Sequence, residues 1–205
     1  MKKTSYIKIR ELAVAAVMTG FAVVIMYFDI SIPIMPSFIK LDFSEIPALI
    51  TAFAFGPLWG AAVCLVKNLI HLFVTQTSGV GELANFLLGA SFVIPAGIIY
   101  RQMRTRKGAF TGMAIGVLSM TAMSFVCNLF LIYPLYFLLM PKSVILGGYR
   151  KINSGVEEIW QCLLIFNLPF TFVKGLLNLI IVGLIYKPLS PVIKKLTGDN
   201  GRRTA

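Results

Sequence analysis

Uninterrupted apolar runs constrain this chain more than any motif it carries. The first extends from Leu12 to about Phe28 without a charged side chain, and further apolar stretches cover Pro47–Val74, Glu82–Arg101, Ala109–Met140 and Glu157–Tyr186. About 20 such residues in a helix cross the hydrocarbon core of a bilayer. The rest of the composition agrees. Hydrophobic residues make up 58% of the 205 residues and charged residues only 13%, about half the share usual in a soluble domain. A disordered chain is excluded, because disorder needs low hydrophobicity, and too few charged groups remain to cover a soluble globule. The chain reads as an all-α, multi-pass integral membrane protein with one transmembrane domain over residues 1–205.

The N-terminal Lys2, Lys3, Lys8 and Arg10 ahead of an apolar run imitate a signal peptide. The run is longer than a signal core and lacks a small-residue cleavage site with a polar start behind it, so it reads as a retained first span. Cys64, Cys127 and Cys162 each sit inside an apolar run, without CxxC spacing or neighbouring His; they read as small buried hydrophobes, and neither a metal site nor a cofactor is expected.

Six helical segments are predicted, at about 11–28, 44–56, 57–74, 82–101, 109–140 and 157–186, with a loop over about 29–43 that Pro33 and Pro36 keep from being helical. The stretch from Pro47 to Val74 divides at Gly56-Pro57, since a proline disfavours helix in the residue before it. Charge decides the division. Lys and Arg collect on the cytoplasmic side of a membrane protein. With two segments, the N-terminal cluster, the group Arg101, Arg104, Arg106 and Lys107, and the tail with Lys187, Lys194, Lys195, Arg202 and Arg203 all share one side. The expected architecture is therefore a six-helix transmembrane bundle with both termini cytoplasmic. Pro47–Phe55 spans only about 14 Å at helical rise, so it is expected to be a partial span packed among other helices. The basic clusters read as orientation determinants that meet anionic lipid; no solvated basic face with aromatics points to nucleic acid.

Polar side chains inside hydrocarbon are costly and face a partner, a cavity or a ligand. The last segment carries Asn167, Thr171, Lys174 and Asn178, which at 3.6 residues per turn stay within about 60° of one another. This stripe reads either as a hydrogen-bonded seam between helices or as a face turned to a ligand; the full charge of Lys174 favours the second. The preceding segment places Thr121, Ser124 and Asn128 on one face. Ser and Thr can satisfy themselves on their own backbone, so Asn128 is the informative member. Tyr133, Tyr136 and Phe137 lie further along, where an interfacial aromatic belt is also expected. Lys67 and His71 are expected to pair with a neighbouring carboxylate or carbonyl. Glu82 and Asn85 suit a helix start by dipole alone, with a ligand role as the alternative. Gly108, Gly112 and Gly116 recur every four residues, as do Ala16 and Gly20; such spacing allows close approach of backbones, within the chain or to another membrane protein.

Motifs for nucleotide phosphates, metalloproteases and nucleophile elbows are absent, as are paired carboxylates within the spans. No enzyme is expected, and no built-in ATP engine.

Two stretches carry a resemblance. Lys40-Leu41-Asp42-Phe43-Ser44-Glu45-Ile46-Pro47-Ala48-Leu49, followed by Phe55-Gly56-Pro57 and Gly60, resembles the first loop and second helix of the substrate-binding (S) components of energy-coupling factor vitamin transporters. Gly81-Glu82-Leu83-Ala84-Asn85-Phe86 with Gly89 resembles the start of their fourth helix. Nearly the whole chain is covered, and the riboflavin-specific members are the most similar. The resemblance implies a vitamin site near the outer face of the cell membrane, the loop at about 29–43 as its lid, and the last three helices as its walls. It also implies a partner module of two ATP-binding proteins and a transmembrane coupling protein. The family's small-residue docking pattern on the first helix has Ala16 and Gly20 as its nearest equivalent, with Gly where the pattern has a second Ala.

Riboflavin suits the polar stripe on chemical grounds. Its flat ring wants an apolar slot, and its edge of carbonyls and N–H wants amides and a cation. Asn128, Asn167, Thr171, Lys174 and Asn178 supply those groups, while Met35, Asp42 and Phe43 on the lid, with Glu82 and Asn85, are placed to cover the ring or meet the ribityl tail. The alternatives are an S component for another vitamin, or a stand-alone secondary transporter, against which the sparse carboxylates within the spans argue.

Overall fold

A computed structural model describes residues 2–36 and 38–197. Among these, five helical runs are long and apolar enough to cross a membrane: Ile9–Tyr27, Pro57–Val74, Val80–Met103, Arg106–Leu139 and Ile159–Pro191. Helix α1 covers Lys2–Tyr27, α2 Glu45–Phe55, α3 Pro57–His71 and α4 Val80–Met103. The fourth run comprises α5 (Arg106–Cys127), a π-helical turn (Asn128–Ile132) and α6 (Tyr133–Leu139). After a short α7 (Lys142–Arg150), the last run comprises α8 (Ile159–Cys162), a second π-helical turn (Leu163–Asn167) and α9 (Leu168–Thr197). Large apolar side chains such as Leu58, Phe73, Phe130, Leu138 and Leu184 stand exposed on the outer surface, as a multi-pass membrane protein requires.

The break expected at Gly56-Pro57 separates α2 from α3, and Gly56 adopts φ +110 there, a conformation natural only to glycine. Helix α2 is the partial span: Ala48, Leu49, Ala52 and Phe53 are buried, and it packs against α1, α3, α4 and α9. The two π-helical turns precede Pro134 and Pro169. A proline removes its own N–H and crowds the carbonyl four residues back; widening the turn by one residue accommodates both.

The glycine row of α5 serves packing within the chain. A Cβ at Gly112 would stand 2.7 Å from the Ala96 carbonyl oxygen, and one at Gly116 2.5 Å from that of Phe92, so α5 lies directly against α4. At the end of the bundle that carries Arg101 and Lys187, the hydroxyls of Tyr100 and Tyr186 meet at 3.1 Å. Arg202 and Arg203, expected in the cytoplasmic tail, lie outside the described residues, as do the side chains of Lys2, Lys3, Lys8, Lys194 and Lys195.

At the opposite end, Ile30–Ser31 and Lys40–Leu41 form a short antiparallel pair, β1 and β2, with Ile30 opposite Leu41 and Ser31 opposite Lys40. The intervening loop folds back toward α7, whose Gly148 lies beside Pro36 and Phe38. Helix α7 was not among the expected segments, because its nine residues are too short and too mixed in character to register as a span.

Candidate functional site

A cavity of about 680 Å³ lies beneath this loop. Phe38, Ile39 and Lys40 reach it from the loop; Asn128, Ile132, Tyr133 and Tyr136 from the first π-helical turn and α6; and Asn167, Phe170, Thr171 and Lys174 from the second turn and α9. His71, Thr77, Glu82 and Asn85 contribute from α3, the following loop and the start of α4. Both amides that the π-helical turns carry, Asn128 and Asn167, therefore face the same space.

A buried charge cluster borders the cavity. Lys174 Nζ lies 2.9 Å from Asp42 Oδ2 and 3.3 Å from Glu45 Oε2. Lys67, fully buried, pairs with Glu45 Oε1 at 3.0 Å. The Ser44 hydroxyl donates to Asp42 and accepts from Lys67. Asn85 Nδ2 donates to Asp42 Oδ2 at 3.1 Å. Local sequence prepares this geometry: Asp42 Oδ1 accepts the Ser44 backbone N–H at 3.0 Å, turning the chain, and Glu45 opens α2, where the helix dipole favours an acid. Two carboxylates thus face two ammonium groups, and each charge is compensated. Burial alone would raise the Asp42 carboxyl, but Lys174 and Lys67 beside it, with the Ser44 hydroxyl, hold it well below the ordinary carboxylate range.

A second network ties down the loop after α3. Glu82 accepts from Thr75 at 2.8 Å and Thr77 at 3.1 Å, and His71 Nδ1 meets its other oxygen at 2.8 Å. Both expected lysine and histidine pairings with carboxylates are therefore present. Across the bundle, Thr171 and Ser124 share a hydroxyl hydrogen bond of 2.9 Å. Asn128 Nδ2 donates to the Ser124 carbonyl at 2.7 Å, while Thr121 turns to its own backbone at Val117.

Of the residues expected at a binding site, Asp42, Glu82, Asn85, Asn128, Asn167, Thr171 and Lys174 line the cavity. Met35, Phe43 and Asn178 are not among the lining residues. Asn178 is fully buried, with Nδ2 donating to the Lys174 carbonyl at 3.0 Å, so the polar stripe of α9 continues past the cavity. Ala16 and Gly20 lie on an exposed face of α1, and a Cβ at Gly20 would meet nothing within 4 Å. Sequence reasoning missed Glu45, Phe38 and Phe170, and it read Tyr133 and Tyr136 chiefly as a membrane-interface belt. Both tyrosines are buried, 2% and 6% exposed, and only Phe137 of that trio remains outward. Their spacing of three, on the helical turn after Asn128, was the available signal.

The sequence pattern of the family described as "ECF transporter, substrate-specific component" matches residues 10–186. The chain belongs to this family, which is a transporter component and not an enzyme. Among relatives, it is 32% identical over 188 residues to a protein named riboflavin transporter RibU from Staphylococcus aureus (strain TCH60), covering 91% of this chain and 94% of that one. It is 28% identical to riboflavin transporter FmnP from Bacillus subtilis (strain 168), over 92% of this chain and 96% of that one. A solved structure described as the S component of a bacterial ECF transporter superposes with a TM-score of 0.71 at 33% identity, covering 91% of this chain and 99% of that chain.

Proposed function

We propose that this protein is the riboflavin-binding component of an energy-coupling factor importer in the cell membrane. It captures the vitamin on the outer side and hands it to a module of two ATP-binding proteins and a transmembrane coupling protein. The observation that carries this reading is the cavity beneath the β1–β2 loop, whose wall combines aromatic rings with amides. Its volume of about 680 Å³ falls within the roughly 300–1,000 Å³ of small-molecule sites. Phe38, Tyr133, Tyr136 and Phe170 supply the flat apolar surfaces that the ring needs. Asn128, Asn167 and Thr171 supply donors and acceptors for its polar edge, and Thr77, Glu82 and Asn85 offer partners for the ribityl hydroxyls. Lys174 lines the cavity and anchors Asp42 at the base of the lid.

In this reading the chain crosses the membrane six times with both termini in the cytoplasm, which the clustering of Arg101, Arg104, Arg106, Lys107 and Lys187 at one end supports. The exposed small residues Ala16 and Gly20 give the coupling protein a flat docking surface. Purification in detergent tests the proposal directly. The preparation is expected to carry the visible absorbance bands of flavin, and ligand-free protein to quench flavin fluorescence on titration. A colourless protein that produces neither change with riboflavin overturns the assignment.

A further inference from the structure

Three side chains from separate elements close a ring of hydrogen bonds at the edge of the cavity. The Tyr149 hydroxyl donates to Asn167 Oδ1 at 2.6 Å, Asn167 Nδ2 donates to the Tyr133 hydroxyl at 3.1 Å, and the two tyrosine hydroxyls bond to each other. The lengths set its sense: 2.6 Å suits O–H···O and 3.1 Å suits N–H···O, which puts the amide oxygen on the Tyr149 side. Since the Tyr149 proton goes to Asn167, Tyr133 donates to the Tyr149 oxygen. The ring therefore uses both phenolic protons and one amide proton, leaving a single donor, the second N–H of Asn167.

Asn167 and Tyr133 line the cavity, whereas Tyr149 does not. Tyr149 is fully buried on α7, its ring packed against those of Phe38 and Phe166 with centroids 6.1 and 5.3 Å away. Burial pushes its hydroxyl well above the ordinary tyrosine range, so it stays protonated and remains a donor. We propose that Tyr149 is a positioning residue that locks the Asn167 amide in one orientation, with the carbonyl tied back toward α7 and an N–H offered to an acceptor atom of the ligand. The inference rests on the binding role proposed for this cavity. An amide free to turn by 180° would present either a donor or an acceptor; the locked one favours a carbonyl oxygen or unprotonated ring nitrogen and leaves an opposing N–H unmatched.

Tyr149→Phe keeps the ring and removes the proton. Affinity for riboflavin is expected to fall about tenfold, the scale of one buried hydrogen bond. In an Asn167→Ala background the same substitution should change affinity no further, because the two residues act as a unit. A tenfold effect that persists in that background would reflect packing of α7 and overturn the proposal. A second readout needs no ligand. In protein labelled with 15N-asparagine, the side-chain amide signal lost in Asn167→Ala should exchange slowly with solvent in the wild type and faster in Tyr149→Phe; equal rates overturn the proposal. Should the wild type fail to bind riboflavin, the functional assignment falls while amide exchange still decides the role of Tyr149.

Discussion

Lys174 stands between two carboxylates that reach it from remote parts of the chain, Asp42 from the loop and Glu45 from α2. Removing the ammonium leaves two buried acids with Lys67 as their one cationic partner among the described residues, and breaking such a pair costs about 3–5 kcal/mol. Lys174→Ala is therefore expected to lower the thermal midpoint in detergent and to weaken binding of the proposed ligand; an unchanged midpoint would show that the cluster contributes nothing. The Asp42 carboxyl adds a pH signature. Its folded pKa is depressed, so its stabilisation is present above the unfolded value of about 3.9 and is lost only as pH falls through the lower folded one. The difference in melting temperature between the wild type and Asp42→Asn should stay constant from about pH 8 to 5 and close only in stronger acid. The spacing of Asn167, Thr171 and Lys174 was legible in the sequence because one helix face fixes it. The partner of Lys174 was not, since it lies 132 residues away in the chain and no local rule joins them.

At the level of elements, prolines shape the site. Each π-helical turn ends two residues before a proline and carries a cavity-lining asparagine at one end, Asn128 at the start of the first and Asn167 at the end of the second. A π turn inserts one residue into the helical register, so the two sides of each turn face directions that an unbroken helix would not give them. Pro169→Ala allows the ordinary ladder to form. The helix should be as stable as before or more so, while affinity for the proposed ligand falls by about tenfold or more as Asn167 leaves its ring; equal affinity would separate the turn from the site. The contact between α4 and α5 makes the opposite case, in which shape alone matters. Gly116→Val would drive a methyl-bearing carbon into the Phe92 carbonyl, and a loss of about 1–3 kcal/mol is expected from overpacking, read as a lower thermal midpoint. Some departure from a regular ladder is foreseeable from Pro134 and Pro169; the widened turns, and which side chains they swing inward, depend on neighbours that the helix sequence does not name.

For the whole molecule, the distribution of charge and the position of the cavity have to agree. The loop over the cavity, the β1–β2 pair and α7 occupy one end of the bundle, and the Arg101–Lys107 group occupies the other. If that basic end is cytoplasmic, an impermeant maleimide added to intact cells should label a cysteine at Asn153 and miss one at Lys107, with the pattern reversed in inverted vesicles. The opposite result would turn the cavity to the cytoplasm and remove capture from outside.

The sequence by itself determined the class of protein, where its long apolar helices fall, the break at Gly56-Pro57 and the polar face of the last helix. Each of these follows from a one-dimensional property: hydropathy over a bilayer's thickness, the backbone limits of Gly and Pro, or the helical period. Only the tertiary structure decided that Asp42 and Glu45 neutralise Lys67 and Lys174, that Asn178 falls beyond the cavity, and that Tyr149 on an unforeseen helix reaches back to Asn167. Those pairings join residues whose distance in space is set by how the elements pack together, and burial makes each of them obligatory without saying which partner will answer.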